Sequence, residues 1–152
     1  MKKIMIINGP NLNFLGIREK NIYGNDDYES ICSYIKDKFS DKKVRIDILQ
    51  SNSEGKLIDF LQSAYFRNFD GIVINPGAYT HYSYAILDAI KSISIPTVEV
   101  HLSNIQEREE FRKTSVTAAA CIAQIYGKGK DGYVEAIKHS RNNGQRERND
   151  SC

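Results

Sequence analysis

A chain of 152 residues with a formal net charge of +2 has the length of one domain with one sizeable core. The last fifteen residues, from Lys138, carry the whole excess and the remainder balances to zero, which argues against nucleic acid as a ligand. No apolar run approaches a membrane span, the N-terminus reads as a strand rather than a leader, and Cys32, Cys121 and Cys152 lack the spacing of a zinc site or a disulfide framework, fitting a reducing cytoplasm.

Four consecutive apolar residues, Ile4 to Ile7, stand between two lysines and Asn8-Gly9-Pro10-Asn11. An unbroken apolar run reads as a strand buried on both faces, in the middle of a parallel sheet. Behind it, Gly16 and Gly24 bracket Arg18 and Tyr23, as the hinges of a mobile loop would. Asp26 or Asp27 caps a helix whose inner face is Tyr28, Ile31, Cys32, Ile35 and Phe39. Val44, Ile46 and Ile48 alternate with Arg45 and Asp47, the period of a half-buried strand near a sheet edge. Ser51 and Glu54 have capping-box spacing, and Leu57, Ile58, Leu61 and Tyr65 stripe the helix they open.

Asp70-Gly71 turns the chain into a short buried strand, Ile72 to Ile74, which ends in Asn75-Pro76-Gly77 with His81 close behind. Pro76 stops the ladder and Gly77 permits a tight turn. The third helix turns Ala85, Ile86, Ala89, Ile90 and Ile93 inward and Asp88 outward. Pro96 opens the strand Thr97 to Leu102, in which Glu99 and His101 are two apart and share a face. Residues 107–113 read as one or two solvated helical turns. Val116 to Tyr126 is divided: its alanines favour helix, its second half a buried strand, and the alternation of elements selects strand. Gly127 to Gly132 is a turn without the residue order of a nucleotide-binding P-loop. A last helix begins at Tyr133. Beyond Ser140 no apolar face remains, so the domain is expected to span 1–139, with 140–152 a disordered polar tail. Cys32 and Cys121 are expected to be buried thiols.

Five strand–helix alternations predict a single three-layer α/β domain of flavodoxin-like type, with a five-stranded parallel sheet in the order 2-1-3-4-5 and helices on both faces. The switch point then lies between the first and third strands, whose carboxyl ends carry Asn11 and Asn75, with His101 ending the strand beside them. Amides, histidines, a serine and a carboxylate thus meet under a loop bearing Arg18 and Tyr23. His81, His101 and Glu99 are residue types that ligate metals, but the amides and arginines around them suit an anionic, hydroxylated organic substrate better.

These residues carry a resemblance. Asn8-Gly9-Pro10-Asn11-Leu12, Leu15-Gly16-x-Arg18-Glu19-x-x-x-Tyr23-Gly24, Gln50-Ser51-Asn52-x-Glu54-Gly55, Asn75 to His81, and Glu99 to Asn104 with Arg108-Glu109-x-Phe111-Arg112 stand in the order found in type II 3-dehydroquinate dehydratases. The matching blocks run from residue 4 to about residue 137. The resemblance implies a hydro-lyase of the shikimate pathway that removes water from 3-dehydroquinate to give 3-dehydroshikimate, reversibly and by anti elimination through an enolate. It implies no metal, no cofactor and no lysine imine.

By the same resemblance Tyr23 is the proton acceptor, Arg18 the lid residue that stabilises charge beside it, and His101 the proton donor. Asn11 serves the developing enolate and Glu99 orients His101. Asn75, His81, Leu102, Ser103 and Arg112 bind substrate, and Asp88 reaches a neighbouring subunit's site in an assembly of trimers packed into a dodecamer. Tyr82, Tyr84, Leu87 and Ser53 depart from the family's usual residues, at positions that bear on assembly rather than chemistry. Two other parallel-sheet functions are disfavoured by the residues themselves. Asn-Gly-Pro-Asn is not the hydroxyl-rich phosphate loop that FMN requires, and Asn75 stands where a phospho-receiver domain needs an aspartate.

Overall fold

The apolar run at the N-terminus is the middle of a sheet. The computed structural model describes residues 1–17 and 26–150, with 143–150 as backbone. In it β1 (Lys2–Asn8) pairs in parallel with β2 (Val44–Gln50) on one side and β3 (Gly71–Asn75) on the other. β4 (Thr97–His101) and β5 (Ala123–Tyr126) follow β3, so the order is 2-1-3-4-5 with every pairing parallel, as expected. Among the described residues, four α-helices cover the sheet: α1 (Tyr28–Lys38), α2 (Glu54–Phe66), α3 (Tyr84–Ile93) and α4 (Asp131–Asp150).

Alternation along the strands splits the core in two. Ile4, Ile6, Val73, Val98 and Val100 face α1 and α4, where they meet Ile31, Ile35, Ala136 and Ile137. Met5, Ile7, Ile72 and Ile74 face α2 and α3, where they meet Leu57, Leu61, Ile86 and Ile90. Each such side chain stabilises the fold by roughly 2 kcal/mol when taken from water. No residue of the edge strand β2 is fully buried, which is why its sequence alternates instead of running apolar.

The caps refine the expected boundaries. Asp27, rather than Asp26, starts α1, its carboxylate accepting from the Ser30 N–H at 2.7 Å. Ser53 caps α2 by accepting from Lys56 N–H at 3.3 Å, whereas Ser51, two residues earlier, accepts from Ser53 N–H. Glu54 does not return to the cap. It accepts from the hydroxyl of Ser83, which is itself the cap of α3. In α2, Leu57, Leu61 and Ala64 form the inner row, and the i, i+4, i+7 period leaves Tyr65 on the exposed side. Ala85 is likewise exposed, being one position before the buried Ile86.

Both readings of Val116 to Tyr126 hold in succession, since a 3₁₀ turn (Thr117–Ala120) precedes β5. The helical turns expected over 107–113 are two 3₁₀ turns, Ile105–Glu107 and Glu110–Arg112. Cys32 and Cys121 are half-buried rather than buried. The boundary expected at residue 139 falls inside α4: Ser140 is fully buried, and its hydroxyl lies 3.4 Å from the Pro96 carbonyl. Arg18, Tyr23, Gly24 and Cys152 lie outside the described residues. No helix among the described residues is long and apolar enough to cross a membrane.

The strand ends are held together by close backbone approach. Gly9 N–H donates to the Asn75 carbonyl at 2.8 Å, and a Cβ at Gly9 would lie 2.5 Å from the Pro76 carbonyl oxygen. No flexible side chain can yield there, because the obstacle is main chain. Gly9→Ala is therefore expected to cost about 2 kcal/mol of unfolding free energy, read from urea denaturation at fixed protein concentration. Unchanged stability would show that the β1–β3 junction is not tight.

Candidate active site

The carboxyl ends of β1, β3 and β4 open onto a cavity of about 160 Å³. This is where ligands enter an open parallel sheet, at the reversal of strand order. Of the residues expected from the sequence, Asn11, Asn75, His81, His101, Leu102, Ser103 and Arg112 line it, and Arg108 joins them. Pro10, Leu12, Leu15 and Ile105 supply an apolar wall. Asp88 is exposed on α3 and is not among the lining residues.

Glu99 lies behind the cavity, not in it. It is fully buried on β4, and its carboxylate is surrounded by donors. His101 Nε2 is 3.0 Å from one oxygen, which also accepts from Ser115 Oγ at 2.7 Å and Gln124 Nε2 at 2.8 Å. The other oxygen accepts from Thr80 Oγ1 at 3.1 Å and from Thr117 Oγ1. A carboxylate has about four lone-pair sites. The hydroxyls of Thr80, Ser115 and Thr117 also touch one another, at 2.8 Å for the two contacts of Thr80, so one of them can spend its proton inside the cluster while the others serve Glu99.

Burial alone would raise the Glu99 pKa. The hydrogen bond and charge of His101, with the Thr117 and Ser115 hydroxyls, overcome it and bring the value down to about 2. Glu99 is thus an anion across the physiological range. It accepts from Nε2 of His101 and so leaves Nδ1 as that ring's remaining nitrogen.

His81 is a different histidine. Its Nδ1 donates to the Thr114 carbonyl at 2.7 Å, which assigns the proton to that nitrogen and leaves Nε2 as an acceptor in the neutral ring. Burial lowers its pKa, and the charges of His101 and Arg112 act in the same direction. Arg112 Nε lies 2.9 Å from Glu109, close enough for an ion pair though not aligned as a hydrogen bond. Glu109 is also 3.9 Å from Arg108 Nε, so one carboxylate stands beside both Arg108 and Arg112.

Asn11 sits in left-handed backbone conformation (φ 69°), a region that asparagine tolerates better than most residues. Its N–H donates to Asn52 Oδ1 at 3.0 Å, and Gln50 Nε2 donates to the same oxygen at 3.1 Å. Tyr79 Oη donates to the Asn52 carbonyl. The polar loop after β2 therefore shapes the β1 loop as well as capping α2. Beneath the cavity, Asn75 Nδ2 donates at 3.1 Å to the hydroxyl of Tyr133, which donates at 2.6 Å to Asn8 Oδ1.

Sequence reasoning did not single out Thr80, Ser115, Thr117 and Gln124 around Glu99, nor Tyr133. The hydroxyl-rich run Thr114-Ser115-x-Thr117 ahead of β5 was a usable signal for two of the donors; Tyr133 offered none beyond its place on a helix face. Among the described residues, no three His, Cys, Asp or Glu side chains gather as a metal ion would need.

Residues 2–141 match the family described as dehydroquinase class II. A Clostridium beijerinckii protein called 3-dehydroquinate dehydratase is 65% identical over 136 residues, covering 90% of this chain and 93% of its own length. A Clostridium acetobutylicum protein of the same name is 63% identical over 140 residues, covering 92% of this chain and 96% of its own. The crystal structure of a type II dehydroquinase from Butyrivibrio crossotus superposes with a TM-score of 0.91 at 57% identity, covering 92% of this chain and 97% of that one.

The depressed pKa of Glu99 fixes the sign of a stability effect. An unfolded glutamate titrates near ~4.3, well above the folded value. Its contribution is complete above that range and disappears as pH falls toward about 2. Unfolding free energy is expected to drop by about 3 kcal/mol from this group between pH 5 and 2, and Glu99→Gln to flatten that part of the profile. Denaturant midpoints measured across that range check it; parallel profiles for the two proteins would contradict the assignment.

Proposed function

The chain belongs to the class II dehydroquinase family, and from that premise we propose how its residues divide the work of dehydration. The protein is a hydro-lyase, converting 3-dehydroquinate to 3-dehydroshikimate in the shikimate pathway. One observation carries the division of labour: a buried carboxylate, Glu99, grips the imidazole of His101 at the wall of the cavity.

Tyr23 takes the proton from the carbon next to the ketone. A free phenol titrates near ~10, so it works at neutral pH only with positive charge beside it, which Arg18 supplies. The carbanion's charge moves onto the ketone oxygen as an enolate, and Asn11 donates to that oxygen directly or through a water. The bond to the β-hydroxyl then breaks on the opposite face. His101 gives its proton to the departing oxygen, which leaves as water. Glu99 holds the ring in register for that transfer and balances its charge. Proton exchange with solvent returns Tyr23 and His101 to their starting states.

Asn75 holds the end of the substrate that loses water. His81, Ser103 and the Leu102 backbone bind hydroxyls, and the planar fork of Arg112 suits the carboxylate. The elimination is anti, and it uses no cofactor, metal or lysine imine. Subunits assemble as trimers packed into a dodecamer in the cytoplasm, with Asp88 completing a neighbour's site. The catalytic unit is residues 1–139 with the buried Ser140 packed onto it, and the polar residues beyond take no part.

The direct test is turnover of 3-dehydroquinate followed as enone absorbance, with and without borohydride. Wild type is expected to be active and insensitive to borohydride. Tyr23→Phe and His101→Ala should each lose about 10³-fold in kcat. Borohydride inactivation would replace this scheme with a lysine imine, and an active Tyr23→Phe would remove the base.

A further inference from the structure

We propose that Tyr133, on α4, is a positioning residue that, together with the Gly77 N–H, holds the Asn75 amide in the orientation it presents to the substrate; this rests on the dehydratase scheme above. The inference comes from proton bookkeeping in a dry part of the core. Asn8, Asn75 and Tyr133 are 2%, 3% and 2% exposed, so solvent water has little access to complete their hydrogen bonds.

Gly77 N–H lies 3.2 Å from Asn75 Oδ1, and an N–H can only donate. That contact therefore assigns the oxygen of Asn75 and turns Nδ2 toward Tyr133 Oη, 3.1 Å away. Tyr133 accepts there, so its own proton goes to Asn8 Oδ1 at 2.6 Å. Asn8 Nδ2 in turn faces Tyr28 Oη at 3.3 Å, on the first residue of α1. The reverse polarity fails at its first link. If Asn75 were flipped to accept from Tyr133, its NH₂ would meet the Gly77 N–H, donor against donor. One proton order satisfies the whole chain, and it leaves Asn75 one N–H and one lone pair for a ligand.

Gly132 lets α4 lie against the sheet, since a Cβ there would sit 3.2 Å from Val100 Cγ2. The hydroxyl stays protonated, because burial pushes its pKa well up. Phenylalanine at 133 keeps the ring in its packing and removes only the hydroxyl. Asn75 Nδ2 and Asn8 Oδ1 then lose a partner in an environment where unpaired polar groups are unfavourable, and the Asn75 amide is left with only the Gly77 N–H to hold its orientation.

A double-mutant cycle with Tyr133→Phe and Asn75→Ala, assayed on 3-dehydroquinate, decides the matter. Tyr133→Phe is expected to lower kcat about tenfold while KM stays within about twofold. In the Asn75→Ala background the same substitution should cost less than about twofold, because the group through which it acts is gone. An unchanged kcat in Tyr133→Phe overturns the proposal. So does an equal loss in both backgrounds, the signature of a general structural effect. Should Tyr133→Phe fail to fold, Asn8→Ala removes the acceptor of the same proton and is judged by the same two outcomes. An inactive wild type, or a fully active Asn75→Ala, overturns the scheme itself, and with it the role given to Tyr133.

Discussion

A buried carboxylate is the constraint on which this structure depends. Glu99 has no exposed surface, and a charge so placed costs several kcal/mol (~) unless donors replace its hydration. Those donors come from four separate places: Thr80 after β3, His101 at the end of β4, Ser115 and Thr117 in the connection to β5, and Gln124 on β5. Satisfying one anion thus fixes the relative position of β3, β4, β5 and the turn between the last two. The same anion fixes the ring of His101, so the requirement for a folded interior and the requirement for an aimed imidazole are met by one set of bonds.

The second organising feature is the level at which the strands stop. β1 and β3 are in register through Asn8 and Asn75, which are paired across the sheet. Each is the last residue of its strand and each keeps its side chain inside the protein. Asparagine is costly in a core, and here the cost is offset by reciprocal bonds through Tyr133. What emerges above them is a cavity lined by apolar side chains, by His81 with Arg108 and Arg112, and by the Glu99-held His101. That distribution suits a small anion with hydroxyl groups.

Much of this was legible in the sequence because it depends on period and punctuation. Ile4 to Ile7 and Ile72 to Ile74 read as buried strands and the alternation at Val44 to Ile48 as a half-buried strand near the edge, and the sheet order bears both out. Glu99 and His101 share a face because strands repeat every two residues, and the structure finds them bonded. Misplacements arose where a single residue decides. Ser53 caps α2 although Ser51 had the expected spacing, and Tyr65 turned outward because Ala64 filled the inner row. What the sequence could not show is long-range pairing without a period. Tyr133 meets Asn8 across 125 residues and Gln124 meets Glu99 across 25. Neither has a local signature, since side-chain partners of that kind are set by topology.

The claim at the centre is that His101, held by Glu99, protonates the leaving oxygen. Its most direct test changes the leaving group rather than the protein. A substrate analogue carrying fluoride in place of the departing hydroxyl needs no proton at that bond, because fluoride leaves as a stable anion. The measurement is kcat for His101→Ala relative to wild type on both substrates. The account predicts a large loss on the natural substrate and a loss of less than about tenfold on the fluoro analogue. An equal, large loss on both would show that His101 does something other than donate that proton, and would contradict the account.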